Sequence, residues 1–274
     1  MTADVKTDDR PIGLFDSGIG GLTVLRSLMT AFPNESFIYL GDTARLPYGS
    51  KSAATIERYL LQNIAFLNKL DVKAIVVACN SASTVLVDGH LADQFNVPVY
   101  NVIEPGARAA LAASNSKRIG ILGTKATVSA NSYVACILRE KIPGVVVLQQ
   151  ACPLLVPLVE EGWVDDPLTN LVIHRYLGPL LQQGIDTLVL GCTHYPALRG
   201  GISRVAGSSV TLIDSSDAIA AAILADLSAD RLGASSARRP LRLMTTDVSS
   251  SFTEISERLM HPHAIPPLEA VDIA

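Results

Sequence analysis

Short apolar runs, each closed by a polar or glycine-rich turn, recur along the chain. Ala74-Ile75-Val76-Val77-Ala78 is one, and the stretch from Ile185 to Gly191 is another. Runs of this length without polar alternation predict strands buried on both faces, as in a parallel sheet. Further strands are predicted over 11–15, 36–40, 97–103, 117–122, 145–148, 210–214 and 241–245. Between them, apolar residues fall at helical spacing. Ile56, Tyr59, Leu60, Asn63 and Leu67 mark a helix over 52–70, and others are predicted over 22–30, 166–183, 216–227 and 251–260. A helix is also expected from just after Cys79 to about Phe95, and one ending near Arg139. Strand and helix alternate, which predicts an α/β fold.

The polar residues after two of these runs are the chain's most informative feature. Cys79-Asn80-Ser81-Ala82-Ser83 follows the first run, and Cys192-Thr193-His194-Tyr195-Pro196 the second. Both cysteines stand where strand gives way to helix, at the carboxyl edge where open α/β sheets bind ligands. A helix N-terminus there favours thiolate over thiol. Val72 to Cys79 matches Ile185 to Cys192 at a constant interval, and Ile12 to Phe15 is echoed by Ile119 to Leu122 at nearly the same one. Two such correspondences predict an internal duplication, with one cysteine from each half facing a shared cleft. Glu104-Pro105-Gly106 is read as the crossing point between domains. The first domain is then expected to comprise 1–103 plus 216–274, and the second 104–215.

Composition narrows the function classes. A chain of 274 residues, 49% hydrophobic and 18% charged, is ordinary for a globular protein. A net charge of −4 gives no electrostatic case for nucleic acid or an anionic membrane, and no apolar run is long enough to span a bilayer. Met1 to Arg10 is polar and lacks the apolar core of a signal peptide, and the 4 cysteines are too few for a disulfide framework. A reducing cytoplasm is the expected location. Cys136 and Cys152 are read as packing residues.

Several chemistries compete for the paired cysteines. Zinc needs about four nitrogen or sulfur ligands, and Cys-Thr-His offers poor spacing with no C-x-x-C, which also disfavours a thioredoxin-type redox site. Acid–base work by opposed thiols explains why two are present. Inverting a carbon centre through a planar carbanion needs a base on one face and an acid on the other, and a thiol titrates near enough to neutrality for either role. Asp16 in Asp16-Ser17-Gly18-Ile19-Gly20-Gly21 is either part of a capped turn or an active-site carboxylate. The glycine spacing there is not that of a dinucleotide or phosphate loop. Glu160 and Glu161, taken alone, read as a solvated helix end, and His194 as either a packed histidine or a group that tunes a thiol.

The motifs Asp16 to Gly21, Gly41-Asp42-Thr43-Ala44-Arg45-Leu46-Pro47-Tyr48-Gly49, Cys79 to Ala82, Pro157-Leu158-Val159-Glu160-Glu161-Gly162 and Cys192 to Pro196 resemble, in order, those of the glutamate racemases. The resemblance implies two flavodoxin-like three-layer α/β domains related by pseudo-symmetry, with the site in the cleft between them. It implies a racemase without cofactor or metal that interconverts L- and D-glutamate and supplies the D-isomer for peptidoglycan. Cys79 would take the α-proton of D-glutamate with help from Asp16, and Cys192 that of L-glutamate with help from Glu160 and His194. Substrate contacts would fall on Asp16, Ser17, Tyr48, Gly49, Asn80, Ser81, Thr193 and His194. Glutamate would be the small-molecule partner, and a homodimer is a candidate assembly. Ser81 stands where the family usually has threonine, which keeps the hydroxyl. The related aspartate racemases usually carry glutamate where His194 stands, which favours glutamate as substrate. An aspartate racemase or other epimerase remains the alternative within the family. A two-lobed binding protein without catalysis is the alternative outside it, and a flavin module a third. The tail after His261 carries no motif.

Overall fold

In the computed structural model, residues 7–87, 89–91, 94–228, 232–233, 235–236, 239–248 and 250–273 are described. Much of the linker-like stretch over 229–239 lies outside them. Eight parallel strands divide into two sets of four: β1 (Ile12–Asp16), β2 (Phe37–Gly41), β3 (Ala74–Val77) and β4 (Val99–Asn101), then β5 (Arg118–Gly123), β6 (Val146–Ala151), β7 (Thr187–Gly191) and β8 (Thr211–Asp214). Two late strands, β9 (Arg242–Thr245) and β10 (Leu268–Ala270), extend the first set. The sheets run β10-β9-β2-β1-β3-β4 and β6-β5-β7-β8.

The duplication expected from sequence is present residue by residue. Ile12 pairs with Ala74 and Phe15 with Val77 in the first sheet. Ile119 pairs with Thr187 and Leu122 with Leu190 in the second, at the same relative positions. Ile75 opposite Val99 likewise matches Leu188 opposite Leu212.

Each sheet is covered on both faces, which is why its central strands carry no polar alternation. Successive side chains of β1 point to opposite sides. Ile12 and Leu14 pack with Leu25 and Leu28 of the helix Leu22–Ala31, with Ile219 and Ile223 of Ser215–Ser228, and with Phe252 and Leu259 of Ser250–Met260. Phe15 packs the other way, on Ile56, Leu60 and Ile64 of Ala53–Asn68. In the second sheet Leu122 and Leu190 meet Ile173 and Leu177 of Pro167–Gln182, while Ile119, Ile121 and Val189 meet Ile103, Ala107, Tyr133 and Ile137.

Four local expectations are corrected. Glu104-Pro105-Gly106 is not an interruption of regular structure; it lies inside the helix Ile103–Ala113. Proline is tolerated in a first turn because the amide it lacks would have no intrahelical partner there. The free amides of Ile103 and Glu104 donate instead to Asn101 Oδ1, at 3.1 and 3.0 Å. The helix after Cys79 spans only Asn80–Ser83 and tightens into a 3-10 turn over Thr84–Leu86. There the Thr84 hydroxyl donates back to the Ser81 carbonyl, competing with helix continuation, and the Ser83 hydroxyl ties the turn to the Val77 carbonyl of β3. The helix ending at Arg139 is broken into Lys125–Ser129 and Ser132–Arg139 by Asn131, which takes a left-handed φ of 55°. The tail supplies β10, whose Glu269 accepts from Arg242 Nε and Nη2 of β9 at 2.9 and 2.6 Å.

Candidate active site

The strand order places four chain tips together. In each sheet the first and third strands of the set lie side by side, and the connections leave in opposite directions, opening a crevice at their carboxyl ends. Asp16 ends β1 and Ser17 follows it, Cys79 lies just past β3, Gly123 ends β5 and Thr124 follows it, and Cys192 follows β7. The two edges meet. The Thr23 hydroxyl donates to the Thr193 carbonyl at 3.1 Å, the Thr193 hydroxyl to Asp16 Oδ1 at 3.2 Å, and the Tyr133 hydroxyl to Asn80 Oδ1 at 2.7 Å. Ser81 and Thr124 share a hydrogen bond of 2.9 Å. Two glycines make this closeness possible. A Cβ on Gly20 would stand 2.4 Å from Thr193 Oγ1 and 2.5 Å from His194 Nδ1, and one on Gly49 would stand 2.7 Å from Thr124 Cβ.

Between the edges lies a cavity of about 220 Å³. That is below the ~300–1,000 Å³ of sites for drug-sized ligands and suits a molecule of a few heavy atoms. Ser17, Tyr48, Gly49, Cys79, Asn80 and Ser81 line it from the first half, and Thr124, Lys125, Cys152, Glu160, Cys192, Thr193 and His194 from the second. Both Cys79 and Cys192 are buried, and all four cysteines are free thiols.

The two thiols have unlike surroundings. Burial pushes the Cys79 thiol up to about 12, and the nearby Asp16 charge adds to the rise. Its sulfur lies 3.6 Å from the Ser17 hydroxyl. The helix behind Cys79 is a single turn, so the thiolate-favouring effect expected from sequence is outweighed by desolvation. Asp16 is itself fully buried, and burial holds it above the usual carboxylate range against the His194 charge and the Gly18, Gly21 and Thr193 donors. Cys192 instead has its sulfur 3.8 Å from His194 Nδ1, and His194 Nε2 stands 3.2 Å from Glu160 Oε1. Burial would lower the imidazole, but the hydrogen bond to Cys192 and then that to Glu160 outweigh it and carry His194 to about 10.

Of the residues singled out from sequence, all line the cavity except Asp16, which lies behind it and reaches it through Thr193. Tyr48 needs a qualification. Its hydroxyl donates to Asp42 in a short bond, so it offers the cavity its ring and main chain. Asp42 also accepts from Arg45 Nε, Asn63 Nδ2 and the Thr246 hydroxyl, a buried network under the Leu46–Gly49 loop. Cys152 is a lining residue as well as a packed one. Thr124 and Lys125 were missed, although the interval that carries Ile12 to Ile119 also carries Ser17 to Thr124. The duplication therefore pointed to a second hydroxyl at the tip of the second half's first strand.

Residues 21–223 match the Asp/Glu/hydantoin racemase family. The chain belongs to that family. It is 48% identical over 252 residues to a glutamate racemase of Neisseria meningitidis, covering 92% of this chain and 93% of that one. A racemase of the same name from Chlorobaculum tepidum is 44% identical over 266 residues, with 97% of each covered. Among solved structures, the glutamate racemase of Francisella tularensis in complex with D-glutamate superposes with a TM-score of 0.88 at 36% identity, over 97% of this chain and 98% of that one. The two parallel sheets and the crevice between them are thus a racemase fold.

Proposed function

We propose that the chain interconverts L- and D-glutamate by passing the α-proton between two thiols on opposite faces of the α-carbon, without a cofactor. One observation carries this reading: Cys79 and Cys192, standing just past equivalent strands of the two halves, border a single small cavity and have unlike neighbours. The relatives' shared name supports glutamate as the substrate. The Cys192 thiolate, paired with the His194 cation that Glu160 supports, takes the α-proton of L-glutamate. The Cys79 thiol then gives its proton to the opposite face of the planar carbanion, and D-glutamate forms. The reverse reaction begins on a Cys79 thiolate, with Asp16 as the adjacent proton-accepting group. The hydroxyls of Ser17, Ser81 and Thr193, with Asn80 and the main chain of Tyr48 and Gly49, receive the substrate's carboxylates.

The D-glutamate formed serves peptidoglycan synthesis, and four free thiols fit a reducing cytoplasm. No helix among the described residues is long and apolar enough to cross a membrane. A homodimer is the proposed assembly, supported by the exposed Trp163, Leu168 and Leu171, with sedimentation velocity as its test. The proposed domain division is 1–103 plus 216–274 and 104–215.

The test of the reaction is a circular-dichroism assay of L-glutamate in heavy water, followed by mass spectrometry of the separated enantiomers at low conversion. D-glutamate should carry deuterium at the α-carbon, because the delivering thiol exchanges with solvent before substrate binds. Substantial protium in the D-product would rule out two separate thiols, since a single base returns the proton it removed.

A further inference from the structure

Lys125 is the only lysine or arginine among the described residues that line the cavity. It is exposed, opens the helix Lys125–Ser129, and follows Thr124, whose side chain abuts Gly49 of the opposite half. Lys125 therefore stands on the second half at the edge of the cavity, on a helix packed against the Tyr48–Ser50 turn. No acidic side chain among the described residues lies within ion-pair distance of it, whereas Arg45, Lys73, Arg139 and Arg242 all have such partners.

The charges around it make that position consequential. Glu160 borders the same cavity, Asp16 lies behind it, and the chain as a whole carries −4. A net-anionic amino acid with two carboxylates approaches an acidic protein against repulsion unless a local positive charge offsets it. His194 cannot supply that charge to an incoming anion, because its cation is already shared between Cys192 and Glu160.

We propose that Lys125 is the recruiting and specificity-determining residue of the site, drawing amino acids with an acidic side chain into the cavity through that carboxylate. The proposal rests on the glutamate reading above and adds to it the group that selects the side chain. Lys125 takes no part in proton transfer. Its effect falls on encounter and binding, as with charges at the rim of an interface.

The experiment measures kcat and KM for L-glutamate over a range of ionic strength, in the wild type and in Lys125→Gln, Lys125→Arg and Lys125→Glu. Lys125 is exposed, so these variants are expected to fold, and their circular-dichroism melts check it. Lys125→Gln should lower kcat/KM about 3- to 30-fold at low salt through KM, with kcat within about twofold of wild type. Its dependence on salt should be flatter. Lys125→Arg should restore both, and Lys125→Glu should reverse the slope, so that added salt raises kcat/KM. A Lys125→Gln enzyme with wild-type KM and salt dependence would overturn the proposal, as would a loss confined to kcat. A wild type that leaves glutamate unchanged would instead overturn the reading of the site, and this proposal with it.

Discussion

Replacing Glu160 with glutamine removes one negative charge and leaves the helix Leu155–Glu160 and most of the side-chain volume in place. The carboxylate is 3.2 Å from His194 Nε2 and about one-third exposed, at 33%, while the imidazole is 6% exposed. His194 is carried from 6.5 to about 10. At ~1.4 kcal/mol per unit this favours the cation by on the order of 5 kcal/mol. Cys192 supplies the larger part, and solvent screening weakens a partly exposed carboxylate. We expect Glu160→Gln to lose about 1–2 kcal/mol of that preference, moving the alkaline limb of activity down by about one pH unit. The sign follows from the cation. Activity needs His194 protonated, so the loss from this cause is slight near neutrality and grows to about fivefold near pH 10. L- and D-glutamate have equal free energies in water, so kcat/KM must fall equally in both directions, while kcat and KM can shift separately. Circular-dichroism progress curves from each enantiomer across pH supply all four constants. A loss that does not vary with pH would mean that Glu160 acts by shape alone, and the electrostatic reasoning would fail.

Cys79→Ser and Cys192→Ser should each abolish interconversion, since a hydroxyl is far too weak an acid–base group near neutrality, while Cys136→Ser should stay within about an order of magnitude of wild type. Racemisation by Cys192→Ser at near the wild-type rate would refute opposed thiols. Gly49→Ala places a methyl 2.7 Å from Thr124 Cβ, so the halves must part. We expect a raised KM and a stability loss of about 1–3 kcal/mol, read by thermal melts and kinetics. Because His194 is raised in the folded state, the stability it contributes is complete below about pH 6.5 and lost as pH rises through about 10. Melts between those values should decline more steeply in wild type than in His194→Asn, and parallel curves would contradict the assignment.

Much of this architecture is legible in the chain because parallel strands buried on both faces must be apolar throughout. Val76 and Leu190, for instance, admit no polar substitution that the packing could solvate. What escapes a sequence reading are features fixed by side-chain alternatives or distant partners. The Thr84 hydroxyl, bonded to the Ser81 carbonyl, competes with a helix that the sequence reading carries on to about Phe95. Leu268–Ala270 is too short to announce itself and becomes a strand by pairing with β9. Nor does Cys79's local sequence reveal its reluctance to ionise, because the cause is burial and the Asp16 charge brought from another strand. Glu160 and Glu161 are adjacent in sequence, and only the fold turns the first toward His194.

On the two-thiol mechanism proposed above, the unequal surroundings of the two thiols give the free enzyme a memory. A turnover that begins with Cys79 protonated ends with that proton gone and Cys192 carrying the one it removed, so the departing product leaves behind a different enzyme from the one the substrate met. With Cys79 buried and pushed up to about 12, the form left after an L-to-D turnover is the costlier of the two. It must recover through solvent before the next L-glutamate can react, or else accept D-glutamate and run backwards. The expected consequence is that at high substrate concentration this recovery, rather than breaking the bond to the α-proton, limits the rate, and that labelled product is carried back against its own gradient.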